Sequence, residues 1–344
     1  MPRSLRQARQ ASTLASRNNC AQSTGPRSPW LRNRRTRKVE LVTGAERYAT
    51  PRAVEAAITT AARKAFTVDP SLTIQERVRL EYFHRFLSRV FSDADDSDWM
   101  LKGGTGMLAR VASARTTTDV DLFRRSRSLD AALDDLRRLA SVDLGDFFRF
   151  DYTGYSNAVD GNQQTYTEGY QVSFDISLGA KKKDSFHVDL VVNVVVTDDV
   201  EIAQPANALE LPKLPSNPYR LYPVVDQIAD KVCATLALYN GRPSSREKDL
   251  VDLVVLARTQ NVDAKKLRRA LDVEARVRSL TLPDAFDLPA TWGARYAKLA
   301  SRVRACADFR TVELAAELMR TFIDPVLRGE ASGVVWSPES LTWS

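Results

Sequence analysis

Histidine and cysteine are scarce in this chain: two of the first (His84, His187) and three of the second (Cys20, Cys233, Cys306) among 344 residues. The cysteines are far apart and form neither a CxxC pair nor a metal-ligand spacing. That argues against a disulfide framework and for a reducing compartment. Two histidines leave little material for a zinc site or a histidine-based triad. No stretch approaches the roughly 18–20 uninterrupted apolar residues of a membrane span, and there is no secretory apolar core near the start. A cytoplasmic protein with no membrane contact is expected.

Charge of one sign is also missing, once the start of the chain is set aside. Residues 1–50 hold eleven Lys/Arg and two acids, whereas the other 294 residues hold 39 bases and 41 acids. The formal charge of +7 therefore belongs to the N-terminal arm, and the remainder is nearly neutral. Residues 1–47 are rich in Arg, Ser, Asn and Thr with almost no apolar periodicity, so a disordered basic arm is expected there. A phosphate-holding arm, a transit peptide and an over-extended coding start all compete for it. The lack of a recurring apolar face speaks against the transit peptide, and the over-extended start is preferred.

From Pro51 onward the pattern becomes structured. Residues 51–66 read as an Ala-rich helix, and Ser71 is expected to cap a second helix running to about Phe91. Residues 99–101 and 119–123 read as strands, with helices at 105–112 and 129–140. Residues 146–152, 168–179 and 185–197 read as strands, the last two paired through a polar turn, Ala180-Lys-Lys-Lys-Asp184. A Pro-rich loop follows, then helices near 223–240, 245–258, 263–277, 290–304 and 308–323. The plan is α+β: a mixed sheet with flanking helices over 48–204, then a helical domain over 205–344.

The chemistry concentrates in Lys102-Gly-Gly-Thr-Gly-Met-Leu-Ala-Arg110 and Asp119-Val-Asp-Leu-Phe123. In the first, a strand gives way through Gly103 and Gly104 to a helix beginning near Thr105. Such a turn aims backbone N–H groups and a positive helix end at one spot, which suits phosphate. In the second, the period of 2 places Asp119 and Asp121 on one face, with Val120 and Leu122 turned to the core. Two neighbouring carboxylates repel unless a cation lies between them, and their oxygens suit Mg²⁺ or Mn²⁺. The plainer reading of the glycine pair alone is an ordinary turn, and that of the Asp-x-Asp alone is a solvated strand edge balanced by Arg110 or Arg115. The third piece is Phe186-His-Val-Asp-Leu-Val-Val-Asn193, where Asp189 opposes the apolar face. Were this strand to pair beside 119–123, Asp189 would complete a three-carboxylate group able to hold two metals. Asp175 is the rival third acid.

A Gly-Gly-Thr, a helix, an Asp-x-Asp and a later strand aspartate look like the polymerase-beta-type nucleotidyltransferase superfamily. More narrowly, Leu101-Lys-Gly-Gly-Thr-Gly-Met-Leu with Arg110, and Arg115-Thr-Thr-Thr-Asp-Val-Asp-Leu122, resemble the AbiEii/MenT toxins of bacterial toxin–antitoxin and abortive-infection systems. The resemblance covers about residues 70–260. It implies an NTP substrate with Mg²⁺ (or Mn²⁺), a tRNA 3′ end as acceptor and a cognate antitoxin. It further implies metal ligation by Asp119, Asp121 and Asp189, and nucleotide binding by Lys102, Gly103, Gly104, Thr105 and Arg110. A helical lysine and aspartate also belong to the family pattern. This sequence offers Lys231, at the border of its helix's apolar stripe where a long stem can be buried, and Asp249 or Asp252, which the sequence does not separate. The plain reading of Lys231 is a surface lysine paired with Asp226 or Asp230. Thr105 stands where many relatives have serine.

Three other readings bear on function. The same fold could modify a protein or small-molecule hydroxyl. A glycosyltransferase would need a nucleotide-binding βαβ unit upstream, where this chain reads as helical. A non-catalytic scaffold could bind nucleic acid or antitoxin.

Overall fold

The structure is a computed structural model that describes residues 47–93, 97–125, 128–157, 169–214 and 216–344. The expected basic arm lies outside the described residues, apart from Arg47.

Two helices open the described chain. α1 (Pro51–Val68) begins with Thr50, whose side chain accepts the Ala53 N–H, and with Pro51 in the first turn. α2 (Ile74–Val90) is capped by Thr73 and not by Ser71: Thr73 and Glu76 form a reciprocal capping box. Ser71 is drawn instead into a turn in which its N–H donates to Asp69.

The central sheet is built from β1 (Trp99–Leu101), β2 (Val120–Arg124), β3 (Phe148–Ser156), β4 (Gly169–Leu178), β5 (Lys181–Val192), β6 (Glu201–Ala203) and β7 (Tyr219–Leu221). Its order is β3-β4-β5-β2-β1-β7-β6. β2/β5 and β1/β7 are parallel and the other pairs antiparallel, so the sheet is mixed. α3 (Gly103–Arg110) connects β1 to the loop before β2, and α4 (Leu129–Ala140) follows β2. The β4–β5 turn is tighter than the expected 180–184, because Lys181 to Asp184 already pair within β5.

β5 alternates as its sequence requires, with Phe186, Val188 and Leu190 buried. Phe86 of α2 packs on that face, its ring 5.0 Å from Phe186 and 5.2 Å from Phe174. Rings buried so fully stabilise the fold by about 1.5–3 kcal/mol each.

Helices dominate beyond the sheet: α5 (Val224–Leu236), α6 (Glu247–Thr259), α7 (Ala264–Val277), α8 (Ala294–Ala300), α9 (Val312–Phe322) and α10 (Asp324–Leu327). α8 and α9 are shorter than the sequence suggested. A 3-10 turn at Arg304–Cys306 lies between them, and three short strands, β10 (Val262–Asp263), β11 (Val335–Ser337) and β12 (Thr342–Trp343), form a small sheet around Trp336. The ribbon of β8 (Leu238–Tyr239) and β9 (Arg242–Pro243) joins α5 to α6. The central sheet takes β7 from beyond residue 204, and one apolar core runs from Val54 through the sheet to Trp336. The expected boundary at 204 thus cuts across a continuous sheet. No described helix is long and apolar enough to cross a membrane.

Candidate active site

The turn after β1 is shaped around one carboxylate. Gly103 has φ +59, and a Cβ there would overlap the Asp121 side chain. Only glycine satisfies both constraints. The Gly104 N–H donates to Asp121 Oδ2 at 3.1 Å, and the Lys102 N–H donates to the Asp121 carbonyl at 3.0 Å. The start of α3 therefore faces an acid of the chain itself. Thr105 is buried, and its hydroxyl donates to the Asp119 carbonyl at 2.7 Å, an oxygen that Thr117 also contacts at 3.3 Å. The Thr105 hydroxyl thus fixes the backbone at the mouth of β2 and does not line the cleft. Asp119 sits just before that strand, its carboxylate accepting from Thr118 at 2.9 Å.

β2 and β5 are parallel neighbours with Asp121 opposite Asp189. The flanking pairs, Val120 with Val188 and Leu122 with Leu190, are buried on the other face. A period of 2 then puts both carboxylates on the cleft side. Gln171 of β4 donates to Asp189 at 3.3 Å. Asp175, the rival, lies further along β4, held by Lys182 and Ser185 at 2.7 Å each, and has no part in the cleft.

Facing these acids is a buried ionic chain. Lys231 Nζ lies 3.0 Å from Asp249 and 2.7 Å from Asp252. Arg115 engages both oxygens of Asp252 at 2.9 Å, and Arg246 reaches the second oxygen of Asp249 at 2.6 Å. Asp249 and Asp252 therefore share Lys231, and each has its own arginine. The surface pairing considered for Lys231 does not occur: Asp226 accepts from Thr197, and Asp230 is bound by Arg278 at 2.6 Å. Burial works against the charge on Asp249, yet Lys231 and Arg246 hold its carboxyl well below the usual range. Burial likewise pulls Lys231 down, and Asp249 with Asp252 more than restore it, leaving its ammonium above the ordinary range.

These groups converge on a cleft of about 110 Å³, lined by Lys102, Gly103, Gly104, Asp119, Asp121, Asp189, Lys231 and Asp249 together with Arg115. Sequence reasoning missed three more charged lining residues, Asp230, Arg246 and Lys248, as well as Thr117 and Val191. Asp230 precedes Lys231, Arg246 caps the start of α6, and Lys248 lies on its first turn just before Asp249. Their place depends on how α5 and α6 meet, which no local pattern reports. Arg110 is not brought to the cleft. Its guanidinium contacts Glu201, Gln227 and the Tyr222 carbonyl, bracing α3 against β6 and α5.

Asp121 is half-buried in the wall of the cleft. Desolvation raises its pKa, and Lys102, Lys248, Lys231 and Arg115 offset that only in part. Asp119, Asp121 and Asp189 are hard, anionic oxygen donors of the kind Mg²⁺ or Mn²⁺ takes, so the donor chemistry fits such an ion. Among the described residues no three His, Cys, Asp or Glu side chains already form a metal-holding group. The three acids share a cleft without being clustered.

No curated protein matches the chain. Among solved structures, JHP933 from Helicobacter pylori is 17% identical, with 76% of this chain and 96% of that one covered at a TM-score of 0.40. The antibiotic-resistance factor ANT(2'')-Ia is 15% identical, with 58% and 91% covered at a TM-score of 0.31. Likeness this low carries no argument about substrate. The family described as "Nucleotidyl transferase AbiEii toxin, Type IV TA system" matches residues 85–337, well past the 70–260 of the sequence resemblance and through β11. With the mixed sheet, the glycine turn and the facing acids in place, the chain belongs to the AbiEii nucleotidyltransferase toxin family.

Proposed function

We propose that this nucleotidyltransferase toxin binds an NTP with Mg²⁺ (or Mn²⁺) and transfers a nucleotide to a tRNA 3′ end, and that a cognate antitoxin protein restrains it. In the transfer, the acceptor hydroxyl gives up its proton to water as its oxygen bonds to the α-phosphorus, the bond from that phosphorus to the pyrophosphate oxygen breaks, and pyrophosphate leaves. One observation carries the reading: Asp121 and Asp189 stand side by side at the end of a glycine turn, across a cleft from a buried lysine.

The chain's own groups divide the work. Asp119, Asp121 and Asp189 would hold the metal, which when bound supplies charge neutralisation for the attacking and leaving oxygens. The Lys102, Lys248 and Arg246 side chains line the cleft where triphosphate oxygens would lie. Lys231, locked between two aspartates, keeps its charge at any working pH and gives the site a fixed positive floor. Thr105 keeps Asp119 in place through its backbone.

The acceptor is tested by incubating the pure chain with each α-³²P-labelled NTP and deacylated tRNA, mixed protein and aminoglycoside pools. Label at tRNA 3′ ends, removable by exonuclease, is expected. Label confined to protein or drug, or no label in any pool, would overturn the reading.

A further inference from the structure

A second and larger cleft, of about 990 Å³, opens between the segment leading into α2, the turn after α3, and α8 with its following 3-10 turn. Its walls carry six cations, Arg115, Arg295, Lys298, Arg302, Arg304 and Arg310, against two acids, Asp69 and Glu76. Both acids are already engaged: Asp69 accepts the Ser71 N–H at 3.0 Å and Glu76 accepts the Thr73 N–H at 2.7 Å. The five cations of the α8 side are exposed, and among the described residues no ion pair holds Arg295, Lys298 or Arg302. Arg295 and Lys298 stand one turn apart on α8, and Arg302 follows its end. Beyond residue 50 the chain has 39 bases and 41 acids, so this wall is a local excess and not a share of a general one. Cations crowded without counter-ions repel one another, and a polyanion relieves them.

Arg115 links this cleft to the first, since it lines both while Asp252 holds its guanidinium from behind. A chain lying along the basic wall is thereby led toward Asp121 and Asp189. We propose that this cleft binds the phosphate backbone of the RNA acceptor and delivers its 3′ end past Arg115. The inference rests on the nucleotidyltransferase reading with an RNA acceptor. The lining favours RNA over a protein partner. Of its apolar members, Leu72, Ala114 and Val303 are buried, Leu299 is half-buried, and only the small Pro70 and Ala307 are exposed; it presents none of the aromatic anchors that centre protein interfaces.

The test uses the full chain, a deacylated tRNA pool and the variant R295Q/K298Q/R302Q, whose positions are exposed and outside the active cleft. Its KM for tRNA is expected to rise at least tenfold, with kcat at saturating tRNA and NTP affinity unchanged. The slope of log affinity against log salt should fall by about 2–3, at roughly 0.7–0.9 for each of the three lost phosphate contacts. R295K/R302K should keep wild-type behaviour. Unchanged tRNA affinity and salt slope in the triple variant, with wild type still labelling tRNA, would overturn the cleft and leave the acceptor reading standing. A wild-type chain that neither binds nor labels tRNA overturns both. Loss of antitoxin binding in the triple variant, with tRNA affinity kept, overturns the proposal in favour of a protein surface.

Discussion

Two buried ionic clusters in this molecule use similar residues for different ends. Around α2, Arg89 donates to both oxygens of Asp146, at 2.6 and 3.1 Å, and to the Phe148 carbonyl, while Glu81 faces Arg85 at 2.8 Å. All four side chains are buried, and each acid faces an arginine. The Arg115–Asp252–Lys231–Asp249–Arg246 chain has its two arginines half-buried and borders a cleft that also takes in Asp119, Asp121 and Asp189. A buried charge pair alone says only that desolvation has been offset. It becomes a sign of function where the compensation is incomplete and a cavity adjoins the deficit.

Substitutions can break this contrast. Replacing Arg89 by Met leaves Asp146 charged in an apolar setting and should cost about 3–5 kcal/mol in denaturant unfolding, with transfer per folded molecule unchanged. Replacing Lys231 by Met should cost about 3 kcal/mol, at the low end of that range, because Arg115 and Arg246 still face the two aspartates. Unlike Arg89→Met it should also remove nearly all transfer. Equal losses of activity in the two variants would erase the distinction between the clusters. Asp121→Asn should lower transfer by roughly 10²–10³, as when one charge-stabilising group is taken from a site, with the unfolding midpoint held or raised, since a desolvated charge disappears.

The smallest effect concerns pH and lies in the α2 cluster. Burial lowers His84, whose Nδ1 is 2.7 Å from the Tyr219 hydroxyl, to about 3, and raises Glu81 to about 7. Between pH 3 and about 6.5 the unfolded state binds the histidine proton and the folded state does not, so this group makes stability rise with pH. Between about 4.5 and 7 the folded state keeps the Glu81 proton and the unfolded state loses it, so stability falls as pH rises. The two oppose each other from about pH 4.5 to 6.5. His84→Gln should unmask a stability that declines across that window, followed by urea midpoints. A curve that still stays flat would contradict the assignment.

The sequence announced more of the acidic edge than of its surroundings. Asp119 and Asp121 share a face through strand period alone, and the β-branched run around Asp189 marked a strand with one misplaced acid. Their adjacency needed β2 and β5 to be parallel neighbours, which the pattern allowed but did not require. Thr105 and Arg110 show where a motif misleads. Both stand at motif positions, yet one hydroxyl turns inward to a backbone carbonyl and one guanidinium turns to Glu201 and Gln227. Asp230, Arg246 and Lys248 were illegible because the packing of α5 against α6 places them. Beyond residue 204, β7 escaped notice as three residues of a Pro-rich segment that gain strand geometry only from β1.

The most direct measurement pairs two aspartates of adjacent strands, Asp189→Asn and Asp175→Asn, in single-turnover transfer from α-labelled NTP, with unfolding midpoints for both. Transfer should drop by roughly 10²–10³ in the first and stay near wild type in the second, with both chains folded. Transfer kept by Asp189→Asn and lost by Asp175→Asn would place the reacting edge elsewhere on the sheet and contradict this account.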